Sequence, residues 1–133
     1  MNKQIIVNMS VKDLDKSKAF FSALGYTFHP VFSGADAAMV IIAENSIHAM
    51  LMTEPFFKSF HSKQIANARE AVEMWVCLSC DSRVEVDSLM TKALAAGATA
   101  TGEAEDHGFM YAHGFEDLDS HFWQLNYMSG MPG

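Results

Sequence analysis

Hydrophobic and polar residues alternate near the start of the chain, then change period. Val7, Met9 and Val11 alternate with Ile6, Asn8 and Ser10, and a period of two predicts a strand with two different faces. Ala19, Phe20 and Leu24 follow at helical spacing, with Phe21 beside them, which predicts an amphipathic helix. Asp13 stands where its carboxylate can accept hydrogen bonds from the free amides of the first turn, and Gly25 supplies a left-handed stop. The same succession returns later. Val76, Leu78 and Cys80 alternate with Trp75, Cys77 and Ser79, Ser82 and Glu85 form a Ser-x-x-Glu capping box, and Leu89, Ala93 and Leu94 form a stripe that ends at Gly97. Placing Asp13 on Ser82 sets an offset of 69 residues (82 − 13), which also pairs Val7 with Val76, Met9 with Leu78, Ser10 with Ser79 and Phe20 with Leu89. Caps and strand patterns agree on one offset, so the chain reads as a tandem duplication.

Each helix is followed by three short strand-like runs: YTFHPVF, AAMVIIA and IHAMLM in the first half, ATATGE, FMYAHGF and HFWQLNY in the second. Turns rich in Gly, Asp, Asn and Ser separate them. Each half therefore reads as β-α-β-β-β. The expected fold class is α+β, one domain over residues 1–133 built from modules 1–53 and 72–133 with a connector at 54–71. In the connector, Phe56, Phe57 and Phe60 form either a surface lid or a short helix packed on the core.

Composition narrows the functions. A chain of 133 residues, 50% hydrophobic and 19% charged, suits one compact soluble domain. A net charge of −7 argues against nucleic acid or an anionic membrane as partner. No leader-like start and no apolar run approaching the length of a membrane span is read, and the expected location is the cytoplasm. Cys77 and Cys80 are spaced as Cys-x-x-Cys, a redox or half-zinc pattern. In a strand the two fall on opposite faces and no second pair completes a metal site, so the expectation is buried, reduced thiols.

The tandem units, with VKDLDKSKAFFSALGY in the first and DLDSHFWQLNYM in the second, resemble the vicinal oxygen chelate superfamily, which includes glyoxalase I, extradiol dioxygenases, and fosfomycin- and bleomycin-resistance proteins. The stretch HGFMYAHGFEDLDSHFW is similar to the lactoylglutathione-lyase-like branch. The resemblance implies two curled mixed sheets around a cup-shaped cavity with helices outside, a homodimer, and metal ligands at positions matching Ile6, Met50, Trp75 and Gln124. Met50 is the least secure register, and a slip of one residue would exchange Trp75 for Met74. These four residues suit no divalent ion. Isoleucine has no lone pair, an indole nitrogen only donates, a thioether is soft, and one neutral amide cannot hold a catalytic metal. No metal and no cofactor is therefore expected. The inward faces implied by the resemblance carry Ile6, Asn8 and Ser10; Trp75, Cys77 and Ser79; His48, Met50 and Met52; and Gln124. That mixture describes a small-molecule pocket, and it also suits plain core between two sheets.

His121 is read as bracing the Asp117–Asp119 turn. His48 with Glu44 or Glu54 is the one acid–base pair that the spacing offers. Tyr111 and His113 share a face and could reach the cup mouth. Glu103, Glu105 and Asp106 read as a solvated turn. No catalytic triad spacing, phosphate loop or nucleotide fingerprint is present. The expected function is metal-free binding of a small molecule, with ligand contacts from Asn8, Ser10, His48, Met50, Trp75, Cys77, Tyr111, His113 and Gln124 and no catalytic residue assigned. The alternative is a metal-dependent lyase or isomerase resembling lactoylglutathione lyase, its ligands recruited from positions such as His48, His113 and Gln124. A dimer with no ligand is the third reading.

Overall fold

A computed structural model describes residues 3–129; the outermost residues of both expected modules lie outside this range. The chain forms two compact units that meet in sequence between Ala66 and Asn67.

The first unit runs β1 (Ile5–Val11), α1 (Leu14–Ala23), β2 (Thr27–Ser33), β3 (Ala37–Ala43), β4 (Ile47–Thr53) and a short helix, α2 (Glu54–Lys58). Its sheet has the order β1-β4-β3-β2, with β1 parallel to β4 and the other pairs antiparallel. Asp13 caps α1 by accepting the Lys16 N–H at 3.1 Å. Gly25, at φ +101°, lets the chain leave it. The buried face of α1 is Leu14, Ser17, Phe20, Phe21 and Leu24, while the expected Ala19 is exposed. Alanine favours a helix on any face, so its position carried no phase information. Ala38, Val40, Ala49 and Leu51, all 0% exposed, form the opposing side of the core. Pro30 lacks an N–H for the ladder, and the β2–β3 register shifts between Phe28 and Ser33. The sheet tolerates this because β2 is an edge strand.

The second unit runs β5 (Val76–Ser79), α3 (Arg83–Ala95), β6 (Thr99–Ala100), β7 (Glu105–Asp106), β8 (Met110–Glu116) and β9 (Phe122–Met128). Its order is β5-β9-β8-β6, with β7 also paired to β8. The capping box forms in a shifted version. Ser82 Oγ accepts the Glu85 N–H at 3.0 Å, whereas the Glu85 carboxylate accepts the N–H of Asp81, one residue before the cap. The line that α3 buries is Val86, Met90 and Ala93; Leu89 is half-buried and Leu94 is 43% exposed. Two adjacent lines of this helix are equally apolar, so periodicity alone did not separate them. Part of the acidic run is also not a free turn, because Glu105 and Asp106 pair with Ala112 and Tyr111. Both sheets are thus mixed, helices are few, and neither sheet closes into a barrel. No helix among the described residues is long and apolar enough to cross a membrane.

Candidate ligand site

The side of the first sheet facing away from α1 carries three rows of side chains. Strand pairing places Ile6, His48 and Ile41 in one row, Asn8, Met50 and Met39 in the next, and Ser10, Met52 and Ala37 in the third. The expected group Asn8, Ser10, His48, Met50 and Met52 is thus brought together. The roof comes from the connector, for which the sequence left a surface lid and a short helix open. Pro55 sits in the first turn of α2, and the chain after it turns back over the third row. Phe57 pairs edge-on with His61 at 4.9 Å and Phe56 with Phe60 at 5.1 Å between ring centroids. A cavity of about 390 Å³ is lined by Asn8, Met52, Phe57, Phe60 and His61, within the size range of small-molecule sites. The aromatic connector is therefore a short helix, and two of its rings line this space. None of its residues is buried and Phe60 is 64% exposed. Phe57, Phe60 and His61 were absent from the expected contacts, although the F-F-x-x-F-H spacing after Pro55 is a readable signal of rings presented in pairs.

Neither candidate acid–base pair, His48–Glu44 or His48–Glu54, forms among the described residues. His48 is 6% exposed, and its Nδ1 has no hydrogen-bond partner among the described residues. Its cross-strand neighbours are Ile6 and Ile41, and neither carries a polar side-chain atom.

In the second unit Cys77 pairs with Gln124 and Ser79 with Asn126, so these side chains share one face. Trp75 precedes β5 by one residue and stacks obliquely on Phe122 at 5.6 Å. Trp75 and Cys77 are exposed, which corrects the expectation that both thiols are buried: the side of β5 that is buried is that of Leu78. Cys80 is buried, and burial together with the nearby Glu85 pushes its thiol up to about 12. Both cysteines are free.

Tyr111 and His113 do share a face of β8, but not the one carrying Gln124. His113 pairs with Leu125 and Tyr111 with Tyr127, while Gly114 is the residue opposite Gln124. The Tyr111 hydroxyl donates to Asp87 on α3 at 2.6 Å, and His113 Nε2 donates to the carbonyl of Gly102 at 2.8 Å. Both side chains are engaged on the helix side, which corrects their placement at a cup mouth. Strand alternation decided this, and reading β8 without its partner register did not reveal which face was which. For the same reason His113 and Gln124 cannot converge on one ion, which removes the recruited ligand set His48, His113 and Gln124.

The four positions that the resemblance assigns to a metal can now be compared between units. Met50 lies two residues beyond the partner of Ile6 on β4, and Gln124 lies two residues beyond Phe122, which the Trp75 ring contacts. The geometry repeats between the units; the donors are missing. An alkyl chain, a thioether, an indole and one neutral amide do not fit a divalent ion. Among the described residues no group of three or more His, Cys, Asp or Glu side chains is placed to hold one.

The loop before β9 is held by Asp117. Its Oδ1 accepts the N–H groups of Asp119 and His121 at 2.9 and 3.0 Å, and its Oδ2 accepts Trp123 Nε1–H at 2.9 Å. Burial pushes the Asp117 carboxyl upward, opposed by His121 and by these donors. The turn is thus braced by the Asp117 carboxylate, to which His121 contributes its backbone.

Residues 4–42 match a family model described as bleomycin resistance protein-like N-terminal. No curated protein matches the chain. Among solved structures, a hypothetical protein of S. aureus is 27% identical, with 96% of this chain and 94% of that one covered at a TM-score of 0.79. A glyoxalase-related enzyme of Fulvimarina pelagi is 18% identical over 97% and 91% of the two chains, with a TM-score of 0.81. A genomically encoded fosfomycin resistance protein of Listeria monocytogenes is 20% identical over 97% and 95%, with a TM-score of 0.70.

Proposed function

From a chain with the vicinal oxygen chelate fold but without that superfamily's metal donors, we infer a protein that binds a small, largely aromatic molecule without a metal at the family position. The observation that carries this reading is the cavity under α2, where Phe57, Phe60 and Met52 offer apolar contact and Asn8 and His61 offer hydrogen-bonding groups. Methionine adapts to varied ligand shapes, and paired aromatic rings favour a flat guest. No Lys or Arg lines the cavity and the chain carries a net charge of −7, so neutral or cationic compounds suit it better than anions. Binding of a compound fits this description better than catalysis through a chelated ion. The resemblance further suggests a homodimer in the cytoplasm, which light scattering of the purified protein would test for its first part.

The test is titration with prodan, a neutral two-ring dye whose emission shifts to the blue in apolar surroundings. Wild type is expected to bind it, and Phe57→Ala to weaken binding on the order of tenfold. Phe32→Ala, at an exposed ring that does not line the cavity, is expected to leave it unchanged. Dye binding that ignores Phe57, or no binding to wild type, would remove the reading.

A further inference from the structure

His48 is the one feature of this sheet face that neither the core nor the lined cavity accounts for. Buried polar groups in folded proteins are almost always hydrogen-bonded, because losing water without gaining a partner is unfavourable. His48 is 6% exposed, yet its Nδ1 has no partner among the described residues. Ile6, Ile41 and Met50 are its nearest neighbours on this face and offer no side-chain N–H or O–H, and the amide of Asn8, placed diagonally, donates to the carbonyl of Ile6 at 3.4 Å.

Its position relates it to the cavity. Side chains on one face of a strand recur every ~7 Å, so the His48 row lies about 7 Å from the Asn8–Met50 row and roughly 13 Å from the row of Met52. The cavity begins at Met52 and Asn8 under the Phe57 and Phe60 rings. Along β1 the side chains between, Asn8 and Ile6, are exposed, Ile6 at 44%. A flat molecule with its rings under α2 and its long axis along β1 and β4 therefore brings its far end towards His48.

We propose that His48 is the polar anchor of the bound molecule, and that the ligand is an elongated aromatic compound ending in a neutral hydroxyl or amide. A neutral imidazole has one ring nitrogen that donates and one that accepts, which matches a group that can do both. The neighbours of His48 on this face, Ile6, Ile41 and Met50, carry no positive charge, which disfavours a carboxylate or phosphate in that place. The inference rests on the cavity being the ligand site and adds to it the direction and chemistry of the guest.

The experiment compares 4-phenylphenol with 4-methylbiphenyl, two rod-like probes that differ in a hydroxyl and a methyl group. Binding is measured to wild type, His48→Phe and His48→Gln, with ¹⁵N imidazole spectra of wild type recorded alongside. Wild type is expected to favour the phenol about fivefold, the modest return of one neutral hydrogen bond. His48→Phe is expected to retain 4-methylbiphenyl and lose the preference, and His48→Gln to recover part of it. The His48 Nδ1 resonance should move with 4-phenylphenol and not with 4-methylbiphenyl, a readout that stands even if neither variant folds. Equal binding of both probes, sensitive to Phe57→Ala but with His48 Nδ1 unmoved, overturns this inference and leaves the cavity reading intact. If neither probe binds, both fall.

Discussion

The carboxylate of Asp117 accepts the indole N–H of Trp123 at 2.9 Å, six residues further along the chain and across the turn into β9. Trp123 is 1% exposed and stacks on Phe115 of β8 at 6.4 Å and 10°. One buried acid therefore links the loop backbone to the centre of the second unit's core. Replacing Asp117 by Ala removes the shared acceptor of three N–H donors, which is expected to cost about 3 kcal/mol or more. Trp123→Phe keeps the ring but removes one donor, with an expected cost of about 1–3 kcal/mol. Urea midpoints measure both, and an Asp117→Ala protein as stable as wild type would contradict this role.

Gly114 stands opposite Gln124 where no side chain fits. A Cβ there would lie 2.7 Å from Thr101 Oγ1, 3.1 Å from a Phe122 ring carbon and 3.2 Å from the carbonyl of Trp123. Gly114→Ala must displace backbone as well as side chains, and an overpacking cost of about 1–3 kcal/mol is expected. The check is thermal unfolding of the variant beside Gly102→Ala, where a Cβ meets nothing within 4 Å.

The two thiols differ in environment, so their reactivity should separate. Cys77 is exposed, while burial and Glu85 push the Cys80 thiol up to about 12. Because the attacking species is the thiolate, an aromatic disulfide reagent at pH 8 is expected to modify one cysteine per native chain and two after unfolding. Because the folded value of Cys80 lies above its ordinary 9.0, its contribution to stability is complete below that value and is lost as pH rises towards 12.

Arg83 makes a two-pronged ion pair with Asp106 at 2.6 and 3.0 Å and lies 5.0 Å from the centre of the Tyr111 ring. The Arg83 hydrogen bonds, helped by the Gly108 N–H, hold the Asp106 carboxyl down at about 2. With the folded value below the ordinary 3.8, the pair contributes above that pH and is lost as pH falls towards 2. Arg83→Ala should return Asp106 towards 3.8, read by carboxyl ¹³C titration. An unchanged value would show that the Gly108 contact alone holds it.

The elements legible in the sequence were those marked by local chemistry. Asp13 and Ser82 cap their helices, Gly25 and Gly97 end them at positive φ, and the paired strand patterns lie where the offset of 69 puts them. Caps and stops act within a few residues, so sequence exposes them. The features not legible depend on partners distant in the chain. Two-residue strands such as Glu105–Asp106 exist only through β8, and the phase of α3 is set by packing between equally apolar lines. Tyr111 and His113 faced the helix because of the β8–β9 register. The pocket face with Asn8 and Met52 was legible, but the part that Phe57, Phe60 and His61 play in it depends on how the connector folds back, and the unpartnered nitrogen of His48 is a property of its surroundings.

We propose that the first unit holds a flat apolar guest where the position matched to a metal by the resemblance offers no grip. Methyl spectra of the protein carrying ¹³C-labelled methionine test both halves in one titration series. Adding 4-methylbiphenyl should move the Met52 methyl through the ring current of the bound probe, and equimolar Mn²⁺ should leave Met50 sharp. Paramagnetic broadening of Met50 at one equivalent of Mn²⁺, with Met52 unmoved by the aromatic probe, would contradict it.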